Sequence, residues 1–154
     1  MRLLRKVIEE FESSLVCQQF NIAEVQDLQC GLWGFVYPDC SEMKIDCVGY
    51  ELELNIASEA FKKIKKIGLI NININEYGTS KTQFAAEDYS NTSSHFQKAY
   101  FLYKYFNLTK EKLVQSAHHH NGKQTSEKKL PTEYIDMLDE IDYVPKKPDI
   151  IKLS

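Results

Sequence analysis

The predicted fold depends on one stretch of the chain, Ile67-Gly68-Leu69-Ile70-Asn71-Ile72-Asn73-Ile74-Asn75-Glu76-Tyr77-Gly78. Isoleucines at positions 70, 72 and 74 alternate there with asparagines at positions 71, 73 and 75. Because successive side chains of a β-strand point to opposite faces, this alternation predicts a strand with one apolar face and one amide face. Such a strand needs a core on one side only, which is typical of an antiparallel sheet half-covered by helices.

Two more strands are predicted before this stretch. Residues 28–37 are rich in apolar and aromatic side chains on both parities, which favours a strand that is buried on both faces for part of its length. Residues 43–54 are predicted to form the next strand, and their apolar parity switches between Cys47 and Val48. We expect a β-bulge, or alternatively a tight turn, at that switch. A short strand near residues 82–85 would bring the sheet to between three and five strands.

Helical patterns occur at both ends of the chain. Residues 2–18 carry apolar side chains at helical spacing, with charged residues, Glu12 among them, on the opposite side. Further helices are predicted from a Ser58 cap to Gly68, over the aromatic-rich residues 94–107, from a Thr109 cap to about residue 117, and from Pro131 to Ile141, with a mobile loop over residues 119–130. The sequence therefore predicts a single α+β domain over residues 1–142, a small antiparallel sheet packed by N- and C-terminal helices, and an extended tail over residues 143–154.

The composition favours an ordinary globular protein and argues against two classes of partner. The 154 residues include 19 lysines and arginines and 22 aspartates and glutamates, so the net charge is -3. Proteins that bind nucleic acid or anionic membranes usually carry a basic excess, so we expect neither partner. The four cysteines have no C-x-x-C spacing and the N-terminal sequence has no long apolar segment. We therefore expect reduced thiols and a cytoplasmic location.

An acidic segment near the C-terminus is the main candidate for a binding surface. Between Pro131 and Asp142 the sequence has no lysine or arginine, and its five carboxylates are Glu133, Asp136, Asp139, Glu140 and Asp142. On an amphipathic helix, these carboxylates would face outward and would attract a basic protein. The leading hypothesis is thus a non-enzymatic binding module, of the inhibitor or immunity-protein type. A merely solvated helix face is the alternative interpretation.

Three consecutive histidines, His118, His119 and His120, raise the question of a metal site. Consecutive residues of a helix point about 100° apart, so these three cannot all face one ion. We therefore expect no metal and no cofactor. Two other hypotheses remain open. A small hydrolase or nuclease would use His95 or the three histidines with carboxylates, either with a divalent metal ion or without one. A structural subunit would add residues 150–153 as a strand to a neighbouring sheet.

Overall fold

The described part of the chain is helical and contains no β-strand. The computed structural model describes residues 2–23, 27–29, 33–63, 68–70 and 88–142. Within these ranges the elements are α1 (Arg2–Gln19), α2 (Tyr37–Cys40), α3 (Leu52–Lys63), α4 (Ser94–Tyr105), α5 (Lys110–Lys123), a 3-10 turn (Ser126–Lys128) and α6 (Thr132–Asp139). The predicted α+β fold is therefore wrong for this part of the chain.

The core is built around α1. One stripe of this helix is buried, and α1 packs against both α3 and α4. The helix α6 packs against α4 and α5 and closes the core from the other side. The buried apolar residues that these helices contribute include Ile8, Phe11, Leu15, Val16, Leu54, Ala57, Ala99, Leu102, Leu113, Ala117, Tyr134 and Leu138. A single apolar cluster thus joins the N-terminal and C-terminal helices.

The helical predictions with strong periodicity are confirmed. The predicted helix over residues 94–107 corresponds to α4, whose N-cap residue Ser93 accepts a hydrogen bond from the amide of Phe96 at 3.1 Å. Thr109 caps α5 as predicted, because its hydroxyl accepts a hydrogen bond from the amide of Lys112 at 3.1 Å. Between them, Asn107 adopts a left-handed conformation with φ of 52°. Asparagine tolerates this conformation well, so it suits the end of α4.

The predicted strand over residues 43–54 is wrong, and its hydrogen bonds show why. The amide of Lys44 donates to Glu59 Oε1 at 2.7 Å, and the amide of Asp46 donates to Asn55 Oδ1 at 3.0 Å. The Nδ2 of Asn55 donates in turn to the carbonyl of Lys44 at 3.3 Å. Side chains of α3 thus satisfy backbone groups that a neighbouring strand would otherwise have to satisfy.

The second half of the same prediction fails because two periodicities overlap there. Leu52 and Leu54 continue the two-residue alternation, but Leu54, Ala57 and Phe61 also fit the helical spacing. The helical pattern prevails, and α3 begins at Leu52. Ser58 is consequently not an N-cap. It lies buried inside α3, where its hydroxyl donates to the carbonyl of Leu54 at 2.7 Å.

The predicted strand over residues 28–37 is also wrong in the described residues. Leu28 lies in a turn, residues 33–36 have no regular secondary structure, and Tyr37 begins α2. A strand buried on both faces requires its side chains to be covered, yet Phe35 is 38% and Val36 is 68% exposed. The aromatic ring of Trp33 instead stacks on Phe35 with a centroid distance of 5.9 Å.

The mobile loop predicted over residues 119–130 is wrong. The helix α5 continues to Lys123, and a 3-10 turn follows at Ser126–Lys128. The side chain of Asn121 then holds Leu130 at both backbone atoms, because Oδ1 accepts from the Leu130 amide at 2.7 Å and Nδ2 donates to its carbonyl at 3.2 Å. This double hydrogen bond fixes the entry to α6.

Several predictions concern residues outside the described ranges. They include residues 71–78, which are most of the alternating isoleucine and asparagine stretch. They also include the short strand predicted near residues 82–85 and the tail over residues 143–154. Of that stretch the structure describes only residues 68–70, where Leu69 and Ile70 are exposed.

Asn55 provides a test of how the segment at residues 43–47 is held. Replacing Asn55, which is 2% exposed, with alanine removes its hydrogen bonds to Lys44 and Asp46. Because backbone groups would lose their partners, we expect the free energy of unfolding to fall by about 1–3 kcal/mol in urea denaturation. Gln115→Ala, at an exposed position of α5, is the control and should leave stability unchanged. Equal stability of the two variants would contradict the assigned role of Asn55.

Candidate functional site

The five predicted carboxylates form one exposed surface on α6 and the turn that follows it. Glu133, Asp136, Asp139, Glu140 and Asp142 are all exposed. The opposite side of the helix is buried and consists of Tyr134, Ile135, Met137 and Leu138. Ile141, in the turn that follows, is buried as well. We call these five carboxylates the acidic surface. Because the apolar side anchors the helix in the core, the acidic surface has a defined position on the protein.

The charge at the C-terminal end of α6 opposes the helix dipole. The amides of Glu140 and Ile141 donate to the carbonyls of Met137 and Leu138, where the helix ends. The last turn contains no basic residue, and Asp139, Glu140 and Asp142 lie at this end of the helix. Anions at a helix C-terminus are typically unfavourable by 0.3–1 kcal/mol each, so roughly that local cost applies here.

One ion pair contacts this surface within the described part of the chain. Lys110 Nζ lies 3.6 Å from Asp142 Oδ2, and both side chains are substantially exposed. Exposed pairs of this kind contribute only about 0–1 kcal/mol. The acidic surface therefore keeps most of its negative charge available to a partner.

A polar groove lies between α1 and α5. Its volume is about 540 Å³, which is within the range of small-molecule sites. The buried ring of Phe11 contacts the ring of His120 edge-on, with centroids 5.5 Å apart, and so bridges the two helices at the base of the groove. Ser14 on α1 and Ser116 on α5 add hydroxyl groups to the walls.

The groove brings histidines and carboxylates together. His119 and His120 line one wall, whereas Glu9, Glu10 and Asp27 line the other side. Lys6 and Lys123 also line the groove, and His118 is exposed on α5. Across the described ranges, no group of three or more histidine, cysteine, aspartate or glutamate side chains has a geometry that could hold a metal ion.

Of the two histidines that line the groove, His120 is the more buried. Burial lowers the pKa of its imidazole, and this effect is opposed by a backbone hydrogen bond at Lys128 and by the charge of Glu10. Its Nε2 is buried and has no hydrogen-bond partner among the described residues. The neutral imidazole is therefore favoured near neutral pH.

Glu12 lies buried behind the groove, although the helical pattern had predicted that it would lie on the charged side of α1. None of its surface is exposed to solvent (0%), and Gln29 Nε2 donates a hydrogen bond to its Oε1 at 3.4 Å. Its other carboxyl oxygen, Oε2, has no partner among the described residues. Nearby, Lys98 Nζ lies 3.7 Å from Glu9 Oε1. The fully buried carboxyl group of Glu12 thus belongs to a cluster with the partly exposed carboxyl group of Glu9, on the preceding turn of α1, and with the ammonium group of Lys98 on α4.

Burial controls the protonation of this cluster. It raises the pKa of Glu12 to about 7, although the charge of Lys98 and the hydrogen bond from Gln29 oppose the increase. Burial also raises the pKa of Glu9, against the opposing charge of Lys98. Near neutral pH, Glu12 is consequently present in both its neutral and its ionised form.

A signal for Glu12 does exist in the sequence. Glu12 is four residues from both Ile8 and Val16. On a helix it therefore lies on their apolar side and not on the charged side, where the sequence pattern had predicted it.

His95, a candidate base, lies in a different place from the groove histidines. It is buried, stacks on Tyr89 at 5.6 Å and contacts Tyr134 edge-on at 6.2 Å.

Comparisons of this chain with protein-family models, with curated proteins and with solved structures found no match. Among the helices in the described ranges, none combines the length and the apolar character needed to cross a membrane.

The lowered pKa of His120 predicts how stability changes in acid. Because the unfolded chain binds this proton more readily than the folded protein, His120 should reduce stability as the pH falls below about 6.5. We expect His120→Gln to remove this loss. The melting temperature of the variant minus that of the native protein should therefore increase as the pH is lowered from about 7.5 to about 5. His119→Gln, which removes an exposed imidazole from the same groove, is the matched control. Parallel behaviour of both variants would contradict the assignment.

Proposed function

We propose that this chain is a non-enzymatic protein-binding module, of the inhibitor or immunity-protein type, whose acidic surface engages a basic protein partner. The observation that carries the proposal is the concentration of exposed carboxylates at the C-terminal end of α6, where the helix dipole disfavours them. Locally unfavourable arrangements are expected at functional sites. A lysine or arginine side chain from a partner would relieve the unfavourable charge.

The way α6 is anchored also supports binding. Four residues of α6, and Ile141 in the turn that follows, are buried in the core, so the carboxylates need little further ordering when a partner arrives. Negative charge gathered on one surface accelerates the approach of a positively charged protein and orients it. We also propose a cytoplasmic location, on the basis of the cysteine spacing alone.

The groove favours a second candidate function, a small hydrolase. The specific observation is that His119 and His120 line the same groove as Glu9, Glu10 and Asp27. His119, whose side chain is exposed and lines the groove, would serve as a general base, and a nearby carboxylate would orient it or stabilise its protonated form. The groove also carries serine hydroxyl groups.

Charge reversal on α6 tests the binding proposal. In Asp139→Lys/Glu140→Lys, two lysines replace carboxylates at the helix C-terminus, so we expect stability to increase by about 0.3–1 kcal/mol for each change. The same variant should lose binding to a fluorescent lysine- and arginine-rich peptide, measured by anisotropy at low salt. A stable variant that no longer binds separates a functional charge from a structural one.

The control for this variant changes the net charge equally at another place. Glu42 and Glu127 are exposed and lie outside α6, and Glu42→Lys/Glu127→Lys should retain peptide binding. If both double variants lost binding to the same extent, only the net charge would matter and the acidic surface would not be the binding site. Undiminished binding by the α6 variant would also refute the proposal.

The hydrolase candidate makes a different prediction. If the groove is catalytic, the native protein should release nitrophenolate from nitrophenyl esters or phosphates, and His119→Ala should reduce the rate by about a hundredfold. The Asp139→Lys/Glu140→Lys variant should then retain the native rate, because α6 does not line the groove. A native rate no faster than that of His119→Ala would exclude this candidate for these substrates.

A further inference from the structure

A short segment covers α1 beside the buried Glu12. Residues 27–29 contact α1 through three hydrogen bonds. The Leu28 amide donates to Ser13 Oγ at 3.4 Å, and Gln29 Nε2 donates to the Glu9 carbonyl at 3.3 Å and to Glu12 Oε1 at 3.4 Å. All three distances are at the long end of the hydrogen-bond range, so each bond is weak. The side chain of Leu28 is buried and holds the segment against the core.

The charged and titratable groups around Glu12 come from several elements. Glu9 lies on the preceding turn of α1, Lys98 approaches from α4, and Tyr134 approaches from α6. Gln29 contributes an amide from the covering segment. Glu53 on α3 interacts with Lys98 and Glu9 and is thus part of the same network. Among the described residues, this network contains the carboxyl groups of Glu9, Glu12 and Glu53, and the cations Lys98 and, at Glu9, Arg5 act on it.

Among the described residues, an ionised Glu12 has too few hydrogen-bond donors in this closed arrangement. Gln29 contacts Oε1 only, and Oε2 has no partner among the described residues. Lys98 lies beside Glu9 and is shared between the two carboxyl groups. A buried carboxylate in this situation requires water. The surrounding helices are packed by apolar side chains, so opening the weakly held segment is the least costly way to admit water.

We propose that Glu12 is a protonation switch: its neutral form keeps residues 27–29 closed against α1, and its ionised form opens this segment. Asp27, which begins the segment, lines the groove. Opening therefore changes one wall of the groove. The switch depends on the buried cluster alone and operates whichever partner the acidic surface or the groove binds.

The direction of the switch follows from the proton affinity of the two states. The closed state raises the pKa of Glu12 to about 7, mainly through burial, whereas a hydrated carboxyl group returns toward its ordinary value. The open state therefore releases its proton more readily, and the closed state loses stability as the pH rises toward the closed-state pKa.

Hydrogen exchange at the Leu28 amide measures this opening. Protection factors correct for the intrinsic pH dependence of exchange, so they can be compared between pH values. Between about pH 5.5 and about pH 8.5 we expect the Leu28 protection factor of the native protein to fall by roughly tenfold or more. In Glu12→Gln, where the Gln29 contact can persist without a titrating group, it should remain constant.

Two controls isolate the switch. Glu10→Gln makes the same chemical change at an exposed position two residues away and should behave like the native protein. The amide of Leu102, in the interior of α4, should keep its protection at both pH values. An equal loss of protection at Leu28 and Leu102 would show global destabilisation and overturn the proposal, as would a Leu28 response that persists in Glu12→Gln.

A second variant tests the switch if Glu12→Gln does not fold. Lys98→Gln removes the cation that favours the ionised form of Glu12, so the pH midpoint of the Leu28 response should move to a higher pH. A midpoint that stays in place or moves to a lower pH would refute the assignment of the response to Glu12.

Discussion

The burial of α1 is the constraint on which the rest of the described structure depends. This helix contributes its apolar stripe to the contacts with α3 and α4, and the same burial takes Glu12 and Ser13 out of water. Because α5 contacts α1 at Phe11 through His120, the space beside that contact becomes the polar groove. One packing arrangement thus creates the core, the groove and the buried carboxyl cluster together.

The sequence predicted the helices whose periodicity had no competing pattern, such as α4 and α6, and it predicted that the α6 carboxylates would face outward. It predicted a helix from Ser58 but not the first turns of α3, because Leu52 and Leu54 fit two periodicities and the outcome depended on tertiary contacts of Asn55 and Glu59. A hydrogen bond between a side chain and a backbone group eight to fifteen residues away along the chain produces no periodic pattern in the sequence. Glu12 was missed for another reason: its charge was given more weight than its position between Ile8 and Val16.

The acidic surface and the Glu12 cluster depart from ordinary stability rules in opposite ways. The carboxylates of α6 are hydrated but lie at the unfavourable end of a helix dipole, and an external cation can reach them directly. Glu12 is completely buried, so an external partner cannot neutralise it without a structural change. The first arrangement therefore suits recognition, whereas the second suits a response of the fold to protonation.

This difference determines which solution condition acts on each feature. Salt screens exposed charges over about 8–10 Å at ordinary ionic strength but screens buried groups much less. Added salt should consequently weaken attraction to the acidic surface while leaving the closed state of residues 27–29 nearly unaffected. A pH change near neutrality acts in the reverse manner, because it titrates Glu12 far more than carboxyl groups with ordinary pKa values. Salt and pH thus separate the proposed recognition by α6 from the proposed switch at Glu12, even though both depend on the same helical core.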